Sequence, residues 1–376
     1  MFSMITPLLM TVLLADEPTK QETKQHAVEV VFVLDTTGSM GGLIQAAKDK
    51  IWAISNSLVK TKPAPSLKIG LVGYRDRGDA YVTKIVSMSE DLDAVYRELI
   101  AFEANGGGDG PESVNQALSE AVTKFPWSKE SSTYRVIFLV GDCPPHMDYA
   151  DDVKYADTCQ LAAKQGIVIN TIQCGQDSAT EPVWRDISVK AEGKYFRVEQ
   201  DGNAIVATTP FDEKLSKLAV DLDATCLYYG TVEMQKAQVD RKEAGKRFEK
   251  VASPSAVAQR AVFNASEAGV ANLVGKSELI DDVSAGRVQL SLIPKDQLPK
   301  PVQNLPKEEQ VKFVQKNKED RARIQKEIAE LGKKRQAFLE ELAAKSQKPV
   351  LEGVIFESVR EQAKRVGLIY ESGPSY

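Results

Sequence analysis

The stretch Val28-Glu29-Val30-Val31-Phe32-Val33-Leu34, running straight into Asp35-Thr36-Thr37-Gly38-Ser39-Met40, decides how this chain is read. The first seven residues are nearly all apolar and mostly β-branched, at the length of a strand. The polar segment after them is a tight loop, and Gly38 lets the backbone turn sharply. Residues 43–58 then carry apolar side chains at helical spacing through Ile44, Ala47, Ile51, Ile54 and Leu58. The opening unit is therefore strand, oxygen-rich loop, helix.

Working outward, residues 67–73 and 81–87 read as two further strands. The seven residues between them (74–80) are too few for a parallel crossover, which needs about a dozen or more. The third strand is therefore expected to run antiparallel, at a sheet edge. Residues 91–103 read as a helix. A glycine-rich loop, 105–112, follows, and Pro111 is expected to open a helix through Lys124, as proline does at a first helical position. Residues 134–140 form a nearly unbroken apolar strand suited to burial on both faces. A helix at 153–165, a strand at 167–173, a helix at 182–191, a strand at 195–198 and a closing helix from 203 to about 227 complete the series. This alternation predicts an α/β fold with a doubly wound, mostly parallel six-stranded sheet and one antiparallel edge strand.

From about residue 230 the pattern turns to helix and charge. Residues 254–276 are Ala/Val-rich and helical, and 288–293 read as a short strand. Pro294, Pro299, Pro301 and Pro306 mark a broken linker. A charged helix spans 307–345, with Val314, Ile324, Ile328, Leu331, Phe338 and Leu342 on one seam that Arg321 and Arg335 interrupt. A helical hairpin packed on the α/β domain is expected rather than a long two-stranded coiled coil. An amphipathic helix at 355–366 follows. The resulting division is 1–15, 16–27 as a linker, 28–230 as the α/β domain and 231–376 as a mostly helical region.

Of the 376 residues, 43% are hydrophobic and 27% charged, an ordinary soluble composition, and a net charge of −5 argues against a nucleic-acid partner. Residues 4–14 are apolar and are followed by the small Ala15 and a polar stretch. Such a run is a signal-peptide core, shorter than the roughly 20 residues of a membrane span. The expectation is cleavage near residue 15 and an exported product, periplasmic or secreted, without a stable membrane span. Cys143, Cys159, Cys174 and Cys226 show no C-x-x-C pair, and buried free thiols are expected.

Asp35, Thr37 and Ser39 stand at alternate positions just past the first strand, and Asp142 ends the strand at 134–140 in the same way. With strand order 3-2-1-4-5-6 these two strands are neighbours, and a crevice opens between them where ligands bind in such sheets. Glu112 precedes the helix that leads into the second strand, and Asp109 lies three residues before it. Carboxylates and hydroxyls make an all-oxygen donor set, which suits Mg²⁺ first, with Ca²⁺ or Mn²⁺ as alternatives, and not softer metals. Capping of the next helix by Ser39 is the competing reading of that residue.

The Asp-x-Thr-Gly-Ser motif after an apolar strand resembles the metal-ion-dependent adhesion site of von Willebrand factor type A (VWA) domains, over about residues 28–230. The resemblance implies a Rossmann-like VWA fold of bacterial exported type. It implies a cation held by Asp35, Thr37, Ser39 and Asp142. The 109–112 loop looks like the Asp-x-Pro-Glu form of integrin β subunits, which implies Glu112 on the metal and Asp109 at a possible second cation site. The residues after 230 look like the tail of bacterial VWA proteins. The implied function is a non-enzymatic binding module whose cation grips an Asp or Glu of a protein partner. Two other readings stand beside it. One is a metal-dependent phosphohydrolase, although Thr37 sits where such enzymes carry a second acid. The other is a structural assembly protein.

Among weaker signals, Arg77-Gly78-Asp79 lies in a turn where Gly-Asp is expected anyway. Asn264-Ala265-Ser266 fits a glycosylation acceptor. Gly106-Gly107-Gly108 lacks the Gly-Lys-Ser/Thr of a phosphate loop. Trp52, Trp127 and Trp184 read as packing, and His146 as a surface-loop residue near the crevice.

Overall fold

A computed structural model of the chain describes residues 26–108, 110–202, 207–345 and 349–376. In chain order the elements are β1 (Ala27–Asp35), α1 (Gly41–Leu58), β2 (Thr61–Lys62), β3 (Ser66–Tyr74), β4 (Thr83–Ser89), α2 (Leu92–Ile100), α3 (Val114–Thr123), β5 (Thr133–Gly141), α4 (Tyr155–Lys164), β6 (Ile167–Cys174), α5 (Thr180–Lys190) and β7 (Tyr195–Val198). The helical region follows as α6 (Asp212–Ala224), α7 (Val232–Val251), α8 (Pro254–Asn264), α9 (Val270–Val274), α10 (Leu279–Ser284), α11 (Lys300–Gln303), α12 (Lys307–Ala343) and α13 (Leu351–Gln362), then β8 (Ile369–Tyr370).

Six strands form one sheet in the order β4-β3-β1-β5-β6-β7. All neighbours are parallel except β3 and β4. The short β3–β4 link dictates that exception, because only an antiparallel return can be made in so few residues. The α/β, doubly wound expectation is met.

Side chains alternate between two buried faces. Val30, Phe32 and Leu34 of β1 and Val136, Phe138 and Val140 of β5 point into one core, together with α1, α2 and α13. Val31, Val33, Ile137 and Leu139 point into the other, against α3, α4 and α5. Outside the first layer, α8 packs on α1 and α6, and α12 packs on α6, α8 and α10. The charged helix is therefore docked on the α/β core. Its two seam-breaking arginines are buried: Arg321 bonds Glu278 at 2.9 Å, and Arg335 bonds Asp212 at 2.8 Å.

Several expectations change. The helix expected from Pro111 begins at Val114, because the backbone of Glu112 is paired elsewhere. Its N–H donates to Pro144 O at 2.9 Å, and its carbonyl accepts from His146 N at 3.0 Å. The closing helix starts only at Asp212, whose carboxylate accepts from the N–H and hydroxyl of Thr209 in a capping turn. Residues 288–293 have no strand neighbour and form a single 3-10 turn at Leu290–Leu292. Ile293 and Leu290 instead join a small apolar cluster with Val302 and Val314. Asn264 is buried and its side-chain oxygen accepts from Asn272, so it is no surface acceptor. Ala27, taken as linker, already belongs to β1. The signal-peptide segment lies outside the described residues. Among those described, no helix is long and apolar enough to cross a membrane. All four cysteines are free, and three of them are buried. Trp52 and Trp184 are core residues.

Candidate metal centre

Asp35 is the last residue of β1 and is fully buried. One carboxylate oxygen, Oδ1, accepts from the Thr37 N–H at 2.8 Å and from the Thr37 hydroxyl at 2.6 Å. The Thr37 and Ser39 hydroxyls lie 3.4 Å apart. Thr37 is buried and Ser39 exposed, so the loop presents oxygens from the core outward. Ser39 is not an N-cap: Thr37 and Met40 hold the cap positions of the two helical segments after the loop, neither with a side-chain cap bond.

The neighbouring β5 brings the second loop. Leu34 pairs with Val140, which sets Gly141 beside Asp35. A Cβ at Gly141 would come within 2.9 Å of Asp35 Cβ and 2.3 Å of the Tyr74 hydroxyl. Glycine here lets the two strand ends close on each other. Asp142 follows at once, with Oδ2 accepting from the Gln200 amide at 2.6 Å.

Glu112 arrives on the third loop, and its backbone pairing with 144–146 fixes it to the segment that carries Asp142. Gly107 packs between the first and third loops, since a Cβ there would lie 3.2 Å from both Glu112 Oε1 and Thr37 Cβ. The fold therefore assembles Asp35, Thr37, Ser39, Glu112 and Asp142 at one rim of the sheet. Asp109 lies outside the described residues.

The electrostatics are those of crowded carboxylates. Burial, opposed by the Thr37 hydrogen bonds and assisted by Asp142, pushes Asp35 up to about 7. Burial and the charges of Asp35, Asp76, Asp79 and Asp142 push Glu112 up to about 9. For carboxylates shifted upward, this contribution to stability is complete below the ordinary values of 3.8 and 4.5 and is lost as pH rises through 7 and then 9. At neutral pH these crowded, buried carboxyls resist ionisation, and without a counter-charge that costs stability.

One oxygen of each carboxylate has no partner. Asp35 Oδ2, Glu112 Oε2 and Asp142 Oδ1 are buried without a hydrogen bond, and so is the Tyr74 hydroxyl. Buried acceptors are normally satisfied, so each such atom calls for a missing donor or ion. Among the described residues no three His, Cys, Asp or Glu side chains make a ready metal cluster by themselves. A donor set here would draw on the Thr37 and Ser39 hydroxyls as well.

Around this rim the structure adds Asp76 and Gln200, which the sequence did not single out, and gives new surroundings to the Arg-Gly-Asp turn and His146. Asp76 accepts from Ser113 at 2.9 Å and from Tyr149 at 2.8 Å. The Arg-Gly-Asp turn is built into the wall: Arg77 lies 4.0 Å over the Tyr149 ring, and Asp79 accepts from Gly107 N at 3.0 Å. His146 is buried rather than on the surface, 2.8 Å from Asp148 and stacked on Tyr149. Gln200 had one visible signal, its position just past the last strand on the same rim.

Residues 29–203 match the model of the von Willebrand factor A domain. Over these residues, a little less than half of its length, the chain is similar to von Willebrand factor A domains. The chain is 22% identical over 213 residues to a putative ariadne-like RING finger protein of Acanthamoeba polyphaga mimivirus, covering 52% of this chain and 21% of that protein. It is 36% identical over 100 residues to von Willebrand factor A domain-containing protein 7 of Rattus norvegicus, covering 27% of this chain and 11% of that one. The chain thus spans about a fifth or less of the length of these curated relatives. A solved structure, the conserved hypothetical protein BatB from Bacteroides thetaiotaomicron, is 16% identical with a TM-score of 0.36, covering 46% of this chain and 91% of that chain. VWA domains are generally protein-interaction modules.

Proposed function

We propose that this VWA domain is a divalent-cation-dependent protein-binding module, exported and without catalytic activity, that captures an Asp or Glu of a partner. One observation carries the reading: three buried carboxylate oxygens from three separate loops (Asp35 Oδ2, Glu112 Oε2 and Asp142 Oδ1) lack any hydrogen-bond partner. They stand beside the Thr37 and Ser39 hydroxyls. An all-oxygen set of this kind fits a hard cation, Mg²⁺ before Ca²⁺ or Mn²⁺. When bound, the ion would neutralise the cluster and offer an electrophilic face to an incoming carboxylate. The chain's own part is to hold Asp35 and Thr37 together through two hydrogen bonds and to keep water from the orphaned oxygens by burial. Position 37 supplies a hydroxyl rather than a second acid, which favours binding over phosphoester hydrolysis.

The test is thermal melting of the full chain with Mg²⁺ and with EDTA, alongside capture of an acidic partner peptide under the same conditions. A ligand at a hundred times its Kd adds about 2.7 kcal/mol to stability. Wild type should melt higher with Mg²⁺, and Asp35→Ala should lose that gain while remaining folded. Melting indifferent to Mg²⁺ in the wild type would remove the basis of the reading.

A further inference from the structure

The turn after β7 carries Gln200, whose amide nitrogen also lies 3.6 Å from the sulfur of the buried Met40. Gln200 reaches back past the end of β6 to the end of β5. Its Nε2 donates to Asp142 Oδ2 at 2.6 Å and lies 3.3 Å from the carbonyl oxygen of Ser39. Its Oε1 occupies the space that a Cβ at Gly175 would fill, at 2.4 Å, and Gly175 has φ +76°. The amide is thus seated in a notch cut by a left-handed glycine, with its donors turned to the first and the Asp142 loops together. The consequence for Asp142 is a division of labour. Oδ2 is taken by an uncharged donor, while Oδ1 stays buried and unpartnered. A lysine or arginine would also satisfy Oδ2, but would bring positive charge to a rim that has to receive a cation. Hydrogen bonds that orient a metal ligand through its other atom are a general device of metal centres.

We infer that Gln200 is a positioning residue of the cation site: its amide takes up Asp142 Oδ2 and the Ser39 carbonyl, aims Asp142 Oδ1 inward, and locks two loops of the site to each other. The inference rests on the cation-binding reading above.

The experiment measures Mg²⁺ binding to the full chain by calorimetry, with melting in EDTA as a parallel readout, for wild type, Asp35→Ala, Gln200→Met and Gln200→Ala. Loss of an outer hydrogen-bond partner typically lowers metal affinity by about 10–100-fold. Gln200→Met, which keeps length and bulk but donates nothing, and Gln200→Ala should weaken Mg²⁺ binding equally within that range, with EDTA melting points unchanged. If Gln200→Met binds as wild type does, or if only Gln200→Ala is impaired, the side chain acts by packing and the inference falls while the cation site stands. A lowered EDTA melting point in both variants would likewise make Gln200 structural and overturn it. If wild type binds no Mg²⁺, the cation reading itself fails.

Discussion

The two faces of the sheet are covered in different ways. On one, α3, α4 and α5 each follow within a short distance of the strands they cover and bury apolar side chains such as Val114, Leu118, Trp184 and Ile187. On the other, α1 and α2 share the surface with α13, which comes from the far side of the helical region. Here charges are buried with the apolar groups. Lys50 of α1 pairs with Glu352 of α13 at 2.8 Å, and both are almost fully buried. Arg260 of α8 pairs with Asp93 of α2 at 2.6 Å and with Asp223 of α6 at 2.9 Å. Gln362 of α13 bonds Asn170 of β6 and accepts from Tyr134 of β5 at 2.5 Å. Pairs of this kind contribute little net stability, but a helix docked in a wrong register would leave a charge buried alone, at several kcal/mol. Local helices need no such device because short connections already limit where they can land. Helices arriving from more than a hundred residues away lack that constraint.

The largest expected effect follows from removing the distant cover. A chain stopped at Gly230 leaves Phe32, Leu34, Phe138 and Val140 without α13 above them. It should lose its cooperative thermal transition and bind a hydrophobic dye, whereas a sharp melt near that of the full chain would show that the second face does not depend on the helical region. Next in size is a broken buried pair. Arg321→Met strands Glu278, which is 1% exposed, and should cost about 3–5 kcal/mol in denaturant unfolding. A change under about 1 kcal/mol would mean that the pair is solvated or dispensable. The smallest test compares the faces directly. Ile355→Ala in α13 and Ile187→Ala in α5 remove similar side chains that are 1% and 0% exposed. Each should cost about 2–5 kcal/mol, and a negligible loss at Ile355 alone would show that α13 rests on the sheet without stabilising it.

Much of the architecture was legible beforehand. The strand series and the antiparallel edge follow from apolar run lengths and one short link, whereas the neighbouring positions of Asp35 and Asp142 follow only once the strand order 3-2-1-4-5-6 is assumed. The loop at 105–112 runs past the proline at 111, which is equally compatible with a helix start. Only the pairing of Glu112 with residues 144–146 shows that it is used otherwise. Arg321 and Arg335 were visible as interruptions of a seam, but their partners Glu278 and Asp212 carry no local mark. A short proline-rich loop gives no sign of the Tyr149 ring that stacks on His146 and helps to bury it.

By itself, then, the amino-acid order determined where the chain forms strands and helices and which oxygen-bearing residues end β1 and β5, since periodicity and loop composition act over a few neighbouring positions. Tertiary structure alone decided that α13 covers the sheet, that Gln200 reaches Asp142, and that Asp35, Glu112 and Asp142 each bury a carboxylate oxygen without a partner. These depend on pairings between residues tens to hundreds of positions apart, whose energy comes from burial and hydrogen bonding that exist only once the chain has closed on itself.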